Sequence, residues 1–347
     1  MTAQQNHRSS SAKEGSALVS MASPIKKVAV VGAGYMGRGI GQVLALAGAQ
    51  CTFVDVDPPR SAAARAAVLE EIRRQEAAGL LAAGTAQRVE QSTRAVGTIA
   101  DAVSDADFVI EAVFEDPSVK KPVLEAIEAS ARPDALLASN TSAIPISELA
   151  ASLSRPERFF GVHWFNPAPL VPAVEIICGG RSDRELATRI VAFLEAAGKS
   201  PVVVADSPGF VCNRLQMALF REAALMVEER LATPAQIDQV VRGSFGFRLP
   251  FFGPFAIADM AGLDVYLAMF RTLEAANGAR FSCPESLRSH VERGELGVKS
   301  GNGYLDLTPE KITGMLRSRD VSYSAMSRLL AELQKSDETA QIAKENQ

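Results

Sequence analysis

The sequence predicts an α/β fold in which a doubly wound, mostly parallel sheet is followed by an all-helical domain. Between residues 25 and 205, short apolar runs alternate with helix-favouring segments. Such alternation is typical of parallel strands that are covered by helices on both faces. After the turn sequence DSPG at 206–209, the patterns are helical. We therefore predict four regions: a disordered leader at 1–24, a sheet domain at 25–207, a helical domain at 208–307 and a helical tail at 308–347.

Each element is predicted from its apolar period and its flanking residues. Short apolar segments predict strands at 27–31, 51–54, 108–113, 136–139, 159–165, 174–177 and 201–205. Helical spacing predicts helices at 40–48, 119–130, 146–152 and 184–197, then at 210–230, 234–242, 256–276 and 286–292. The alanine- and arginine-rich stretch 58–92 is either one long helix or a pair broken at Gly79 and Gly84. Thr308 followed by Pro309 predicts the start of the tail helix.

Composition excludes several functional classes. Apolar residues make up 47% of the chain and charged residues 22%, which is ordinary for a folded globular protein. The 36 basic and 40 acidic residues give a net charge of −4, which argues against a nucleic-acid binder that neutralises phosphates. No apolar run approaches the roughly 18 residues of a membrane span, and the leader lacks the apolar core of a secretory signal. Four scattered cysteines without a CxxC pair predict no metal site and favour a cytoplasmic location.

The segment 32–37 reads GAGYMG and fits the pattern G-x-G-x-x-G between an apolar run and a helix. In such a turn Gly32 permits the tight bend, Gly34 lets the backbone approach a pyrophosphate, and Gly37 lets the helix pack closely on the strand. The helix N-terminus then offers free N–H groups to the phosphates. Asp55 ends the second strand, where a carboxylate binds the ribose hydroxyls and repels a 2′-phosphate. We therefore predict a Rossmann-type site for NAD rather than NADP.

His163 and Glu175 lie on two apolar runs that are separated by the segment PAPLVP at 167–172. The prolines exclude a central strand there, and a hairpin turning within this segment would place His163 and Glu175 opposite each other. A carboxylate on one imidazole nitrogen fixes the tautomer and leaves the other nitrogen to exchange a proton with a substrate. The alternative is a buried histidine whose neighbouring acid has no further role.

Polar side chains follow three other predicted elements. Ser139 begins the segment SNTS at the end of a strand, where it either binds a substrate oxygen or caps the next helix. Asn213 stands at the start of the helical domain and is otherwise explained by a hydrogen bond at the domain junction. Glu115 and Lys120 follow another strand, and a solvated charge pair is the alternative to a functional one.

Seven stretches together resemble the L-3-hydroxyacyl-CoA dehydrogenase family over about residues 25–307. They are GAGYMGRGIGQ at 32–42, EAVFEDPSVKK at 111–121, SNTS at 139–142, GVHWFNPAPLVPAVEII at 161–177, DSPGFVCNR at 206–214, GPFAIADMAGLD at 253–264 and LGVKSGNGY at 296–304. The resemblance implies an N-terminal dinucleotide-binding domain and a C-terminal helical domain. It also implies a homodimer that is formed by the helical domain.

The resemblance assigns catalytic roles to four residues. His163 is implied as the general acid/base, with Glu175 as its partner, and Ser139 and Asn213 are implied to hydrogen-bond the reacting part of the substrate. The implied reaction is reversible. NAD takes a hydride from C3 of a 3-hydroxyacyl group while His163 takes the hydroxyl proton.

By the same resemblance, Glu115 and Lys120 line the cofactor site together with Met36 of the glycine loop. Family members that bind coenzyme A often use a lysine in the helical insert after the second strand. The stretch 28–119 contains no lysine. Two arginines of that stretch offer a substitute: Arg88 and Arg94.

The segment GFRLPFF at 246–252 departs from the family pattern, because the acyl-CoA enzymes are shorter and less basic there. The arginine at 248, and Trp164 in place of a phenylalanine, resemble the sequence pattern of a side branch of the family. That branch acts on free acids such as gulonate, carnitine and a pyridine carboxylate. A guanidinium is well shaped to hold a carboxylate. Otherwise, Arg248 is a surface residue or a helix C-terminal charge.

The sequence therefore supports three hypotheses. The first is an NAD-dependent L-3-hydroxyacyl-CoA dehydrogenase. The second is a dehydrogenase of the same fold that acts on a small free hydroxy acid, with Arg248 binding its carboxylate. The third is a non-catalytic, dinucleotide-binding structural protein, and the intact set of candidate catalytic residues argues against it.

Overall fold

The structure, a computed structural model, describes residues 24–345, with side-chain surroundings up to residue 335. The predicted leader at 1–24, except Pro24, and His7 lie outside the described residues. The chain divides into two compact units between Leu219 and Phe220. We call them the sheet unit and the helical unit. The domain boundary predicted after residue 207 stays a prediction.

The sheet unit contains one sheet of eight strands. In chain order they are β1 (Lys27–Val31), β2 (Gln50–Val54), β3 (Thr93–Ala95), β4 (Phe108–Glu111), β5 (Leu136–Ser139), β6 (Phe159–Trp164), β7 (Ala173–Cys178) and β8 (Ser200–Ala205). The order across the sheet is β3-β2-β1-β4-β5-β6-β7-β8, and all neighbours are parallel except β6 and β7. This confirms the predicted doubly wound, mostly parallel sheet. The sequence pattern missed β3 because three residues at a sheet edge are too few to show a period.

Seven helices connect the strands of the sheet unit. They are α1 (Tyr35–Leu46), α2 (Pro58–Ala77), α3 (Thr85–Ser92), α4 (Ile99–Val103), α5 (Pro117–Ser130), α6 (Ile146–Leu149) and α7 (Arg184–Ala196), with short 3₁₀ turns at Ala150–Ser152 and Pro156–Arg158. The stretch 58–92 is a helix pair, because Gly79 and Gly84 adopt positive φ angles between α2 and α3. The short helix α4 was not predicted.

The remaining described elements are helices, as predicted for this part of the chain, although the short helix at Phe245–Arg248 was not itself predicted. They are α8 (Cys212–Glu228), which spans the division between the units, α9 (Pro234–Gly243), α10 (Phe245–Arg248), α11 (Pro254–Ala261), α12 (Leu263–Asn277), α13 (Glu285–Glu292) and α14 (Pro309–Glu345), with a 3₁₀ turn at Gly278–Phe281. The single helix predicted at 256–276 is wrong. Gly262 has a φ of +105° and separates α11 from α12, because a right-handed helix cannot continue through that conformation. Within residues 24–345, no helix is both long and apolar enough to cross a membrane.

Two apolar layers enclose the sheet, and successive residues of β1 face alternate layers. Val30 belongs to one buried cluster and Val31 to the other, so β1 is apolar on both faces, as expected for a central parallel strand. On one face, α1 lies so close to β2 that a Cβ on Gly41 would overlap the ring of Phe53. The absence of a side chain at Gly41 therefore permits this close approach of α1 to the sheet.

The tail helix α14 packs on the short helix α10 and the residues that follow it. The ring of Tyr323 lies 5.4 Å from the ring of Phe247 and 6.1 Å from those of Phe251 and Phe252, measured between centroids. Aromatic contacts at these distances stabilise by about 0.5–1.5 kcal/mol each beyond their buried area. The tail therefore supports the segment that carries Arg248.

Candidate active site

The antiparallel hairpin of the sheet brings His163 and Glu175 together. In the β6–β7 pairing His163 lies opposite Glu175, and the proline-rich segment 167–172 joins the two strands. Nδ1 of His163 lies 2.8 Å from Oε2 of Glu175, and both side chains are buried. The predicted cross-strand pairing is thus confirmed as geometry, while its catalytic role stays a prediction.

The second oxygen of Glu175 accepts hydrogen bonds from the backbone at the start of α8. The N–H groups of Val211 and Cys212 donate to Oε1 at 3.1 and 2.9 Å. Burial by itself raises the pKa of this carboxyl group, but the hydrogen bonds from His163 and from these amides outweigh burial and hold the pKa of Glu175 below its usual range. The ionised carboxylate therefore accepts a hydrogen bond from Nδ1–H of His163. Its charge is also favourable beside the helix N-terminus.

Two aromatic rings fix the plane of the imidazole. The ring of His163 contacts Phe165 with centroids 4.5 Å apart and Phe210 at 5.7 Å. Phe210 is itself buried and has a φ of +50°, a left-handed conformation that costs roughly 1–2 kcal/mol for a residue with a Cβ. With Nδ1 engaged by Glu175 and the ring held in place, Nε2 is the nitrogen that remains for a ligand.

The segment 139–142 places one serine hydroxyl inside the protein and another outside. Ser139 is fully buried, and its Oγ donates a hydrogen bond of 2.5 Å to Oε2 of Glu111. The Ser139 proton is therefore committed to a buried carboxylate, and the contact with the substrate that the resemblance implies for Ser139 stays a prediction. Ser142, three residues later, is exposed.

Asn213 and Glu115 hold this segment from two sides. In the first turn of α8, Nδ2 of Asn213 donates to the carbonyl oxygen of Ser142 at 2.7 Å. Oε1 of Glu115 accepts hydrogen bonds from the Thr141 hydroxyl and from two backbone amides within 141–143. Although burial raises the pKa of Glu115, the bond from Thr141 and the charge of a neighbouring lysine lower it overall. The segment is therefore tied to the same helix start that holds Glu175.

The neighbouring lysine is Lys120, which is buried, whereas Glu115 is exposed. The alternative of a solvated charge pair therefore does not hold for Lys120, and the cofactor-site role of both residues stays a prediction. Nζ of Lys120 lies 2.9 Å from Oε1 of Glu111 and 3.3 Å from Oε2 of Glu115. Glu111 is a site residue that the sequence analysis missed. The available signal was an acid at the end of an otherwise apolar strand, in register with Ser139 on the neighbouring strand.

The glycine loop has the shape that a pyrophosphate site needs. Gly32 has a φ of +105°, and a Cβ there would lie 2.5 Å from the carbonyl oxygen of Ala112. A Cβ on Gly37 would overlap the carbonyl oxygen of Gly32, whereas one on Gly34 would meet no atom within 4 Å. The space beside Gly34 and the unpaired amides at the start of α1 fit a phosphate group, and no acidic residue in the first turn opposes it.

Asp55 lies where the motif predicts, directly after β2 and beside the glycine loop. Its Oδ2 accepts a hydrogen bond of 2.8 Å from the backbone N–H of Ala33, and its Oδ1 accepts one of 3.2 Å from Asp57. The side chain is half-exposed. Asp55 therefore supports the loop and presents a carboxylate to the space beyond it.

Arg248 belongs to the helical unit. It is the last residue of α10 and is half-buried. Within the part of the chain that the structure describes, its guanidinium forms no hydrogen bond or ion pair. This distinguishes it from Arg280, which pairs with both Glu222 and Glu229 in the same unit.

These features define a class of protein. A glycine loop at the point where the strand order reverses, with an acid after the second strand, is the dinucleotide site of a doubly wound sheet. A buried histidine–carboxylate pair on the same sheet supplies a group that can take or give a proton. Together they define a dinucleotide-dependent oxidoreductase.

Comparison with known proteins gives the family. The model of the 3-hydroxyacyl-CoA dehydrogenase NAD-binding domain matches residues 27–207, and that of the C-terminal domain of the same enzymes matches 209–307. A 5-formyl-3-hydroxy-2-methylpyridine 4-carboxylate 5-dehydrogenase of Mesorhizobium japonicum is 36% identical over 88% of this chain and 98% of its own length. A probable 3-hydroxybutyryl-CoA dehydrogenase of Bacillus subtilis is 36% identical over 81% and 97%.

A solved structure agrees with these sequence matches. The crystal structure of a 3-hydroxyacyl-CoA dehydrogenase from Archaeoglobus fulgidus has a TM-score of 0.73 and 32% identity, over 89% of this chain and 99% of that one. The chain belongs to the 3-hydroxyacyl-CoA dehydrogenase family. It is an NAD-dependent oxidoreductase of the type that acts on a CH–OH group.

We expect Asp55→Ala to weaken NADH binding by about 10- to 100-fold, the range for loss of a hydrogen bond to a charged group. The variant should also lose discrimination against NADPH, because the charge that repels a 2′-phosphate is gone. Fluorescence titration with both cofactors measures the two effects. Asp57→Ala is the matched control, since Asp57 is an exposed neighbour whose side chain pairs with Arg60. Unchanged selectivity in Asp55→Ala would remove Asp55 from this role.

Proposed function

We propose that this protein catalyses the reversible, NAD-dependent oxidation of a 3-hydroxyacyl group to a 3-oxoacyl group, with His163 as the general acid/base. The observation that carries the proposal is the buried His163–Glu175 pair, whose carboxylate is held by the amides at the start of α8. This arrangement fixes one imidazole nitrogen and leaves the other to react. The family membership supplies the reaction class.

The proton chemistry follows from the pair. In the oxidation direction, Nε2 of His163 takes the proton of the substrate hydroxyl, and the oxygen's electrons form the carbonyl as the C3–H bond breaks. Bound NAD supplies the hydride acceptor. The imidazolium that results is stabilised by the Glu175 carboxylate through Nδ1–H. In the reverse direction the same imidazolium returns its proton to the carbonyl oxygen.

Ser142 takes the place that the resemblance gave to Ser139 in this proposal. Its hydroxyl is the exposed one of the segment, and its backbone carbonyl is held by Asn213, the other residue implied at the substrate. We propose that Ser142 and Asn213 orient the substrate oxygen toward His163. Glu115 and Lys120 support this arrangement from the side of the cofactor site.

A coenzyme A thioester is the first candidate substrate. The relatives named 3-hydroxybutyryl-CoA dehydrogenase support it through their names and through alignments that cover 97% of their own lengths. Coenzyme A carries phosphates, so this candidate needs free positive charge near the substrate. Arg94, one of the two arginines available for this purpose, is engaged by Thr52 and Asp105.

A small free hydroxy acid is the second candidate. The observation that favours it is Arg248, a half-buried guanidinium without an ion pair in the described chain. The Mesorhizobium japonicum relative, named as acting on a pyridine carboxylate, also supports it. In this case Arg248 would bind the substrate carboxylate through two parallel hydrogen bonds. The same proton chemistry at His163 serves both substrates.

We also propose two features of the assembly from the family resemblance. The helical domain would form a homodimer, and the domain boundary would fall near residue 208, where the two family models adjoin.

We expect His163→Ala to lower kcat by about 10²- to 10⁴-fold, the usual contribution of a general acid/base, while NADH binding stays close to that of the wild type. Steady-state NADH oxidation and fluorescence titration measure the two quantities. His290→Ala is the matched control, because His290 also pairs with a glutamate, Glu295, but lies in the helical unit. A His163→Ala enzyme with wild-type turnover would refute the assignment.

The substrate class is decided by NADH oxidation with acetoacetyl-CoA beside free acetoacetate and other small 3-oxo acids. If the free acid is the substrate, Arg248→Ala should lower kcat/KM for it by about 10- to 100-fold, because a hydrogen-bonded charge pair is lost. Arg242→Ala, at an exposed position on α9, should have no such effect. Turnover of the thioester alone, unchanged in Arg248→Ala, would reject the free-acid candidate. Tight NADH binding without turnover of either class would reject both.

A further inference from the structure

Glu111, Lys120 and Ser139 form a cluster that neither the resemblance nor the proposed proton transfer assigns a role as a unit. All three side chains are fully buried or nearly so, with 0%, 1% and 0% of their surface exposed. The cluster lies at the carboxyl ends of β4 and β5, where ligands bind in doubly wound sheets. A charged cluster at that place needs a physical reason.

The Glu111 carboxylate is fully hydrogen-bonded. Its Oε1 accepts from the backbone N–H of Val113 at 2.6 Å and from Nζ of Lys120 at 2.9 Å, and its Oε2 accepts from the Ser139 hydroxyl. Burying such a pair costs desolvation energy, and apolar replacements are often neutral or stabilising. Stability alone therefore does not account for the cluster.

The cluster holds the segment 139–143 at both ends. The carboxylate of Glu111 accepts a hydrogen bond from the Ser139 hydroxyl, and the backbone carbonyl of Glu111 accepts one of 2.7 Å from the N–H of Asn140. Lys120 joins Glu111 to Glu115, and Glu115 accepts the hydrogen bonds from residues 141–143. One lysine thus fixes two carboxylates, and each carboxylate fixes one end of the segment.

The segment is joined to the residue that follows the histidine. Asn140 accepts a hydrogen bond from the backbone N–H of Trp164, the residue next to His163, at 2.9 Å. Ser142 presents the exposed hydroxyl, and its carbonyl receives the side chain of Asn213. A shift of the segment would therefore move the Ser142 hydroxyl relative to His163.

We propose that Glu111 is a positioning residue, which works with Lys120 and Ser139 to fix the segment 139–143, and with it Ser142, in register with His163. It acts through this segment and does not touch the substrate. The inference rests on the proposed function for its kinetic consequence. Its structural consequence, a locally held segment, is measurable without any substrate.

The first test replaces Glu111 with the isosteric, uncharged Gln. In hydrogen–deuterium exchange, the amides of 140–143 should exchange at least about tenfold faster, since each factor of ten needs only about 1.4 kcal/mol. The amides of β1 and β2 should exchange as in the wild type. Glu128→Gln is the matched control, because Glu128 holds the backbone amides of another loop, at 154 and 155. Unchanged exchange at 140–143, or faster exchange throughout the chain, would overturn the proposal.

The second test is kinetic. Glu111→Gln should lower kcat for the 3-oxo substrate by about 10- to 100-fold, the cost of a small misplacement of reacting groups. The Kd for NADH should change by a smaller factor, because Lys120 keeps Glu115 as a partner. Equal losses in NADH binding and in turnover would show a merely structural role and contradict the proposal. If the wild-type enzyme turned over none of the substrates, the proposed function would fail while the exchange result still decided the positioning claim.

A third variant covers the case in which Glu111→Gln does not fold. Ser139→Ala keeps both charges and removes the one hydroxyl that joins the carboxylate to the segment. We expect the amides of 140–143 to exchange faster than in the wild type, and kcat to fall by a larger factor than NADH affinity. Both effects should be smaller than in Glu111→Gln. A Ser139→Ala enzyme with wild-type exchange at 140–143 and wild-type kcat would refute the positioning role.

Discussion

The carboxylate of Glu175 joins three elements of the sheet unit through three hydrogen bonds. Glu175 lies on β7. One of its oxygens is hydrogen-bonded to His163 of β6, and the other accepts hydrogen bonds from the two amides at the start of α8. Because folding lowers its pKa, the ionised group stabilises the folded protein at neutral pH, and this contribution is lost as the pH falls through the lowered pKa. The position of the imidazole and the position of the helix start therefore depend on the same charge.

A second set of carboxylates organises the segment 139–143 of the candidate site. Glu111 and Glu115, bridged by Lys120, hold the segment that carries Ser142, and Asn213 connects this segment back to α8. The site is thus assembled from strand ends and one helix N-terminus, with its carboxylates paired to neighbouring donors. Such pairing costs little only when it is complete. The residues that face a ligand therefore need several neighbouring residues that hold them in place without facing the ligand themselves.

Much of this arrangement could be predicted from the sequence, because local periodicity determines it. The apolar runs around His163 and Glu175 and the prolines between them predict a hairpin, and its register follows from their spacing. The glycine pattern and Asp55 are predictable because a close helix–strand approach permits few residues. The break at Gly262 was missed, since a glycine within a helical pattern is compatible with either continuation or a stop.

The orientation of hydroxyl groups and acids at strand ends was not predictable. Ser139 and Ser142 belong to one short polar segment, and their sequence does not indicate which of them faces the protein. Glu111 ends an apolar strand, where an acid is compatible with solvent exposure or with burial against a distant lysine. Glu111 pairs with Ser139 across two neighbouring strands. It pairs with Lys120 on the helix that follows its own strand, nine residues further along the chain. These are tertiary relationships, which periodicity does not encode.

The account depends most on His163 keeping its proton on Nδ1 and its lone pair on Nε2 when the ring is neutral. Nitrogen-15 NMR of histidine-labelled protein measures this tautomer directly, and the chain has three histidines, so His163 is assigned by comparison with a variant that lacks it. The account predicts the Nδ1–H form in the wild type and a mixture or reversal of tautomers in Glu175→Gln. A wild-type ring protonated at Nε2, or a tautomer that is indifferent to Glu175→Gln, would contradict it.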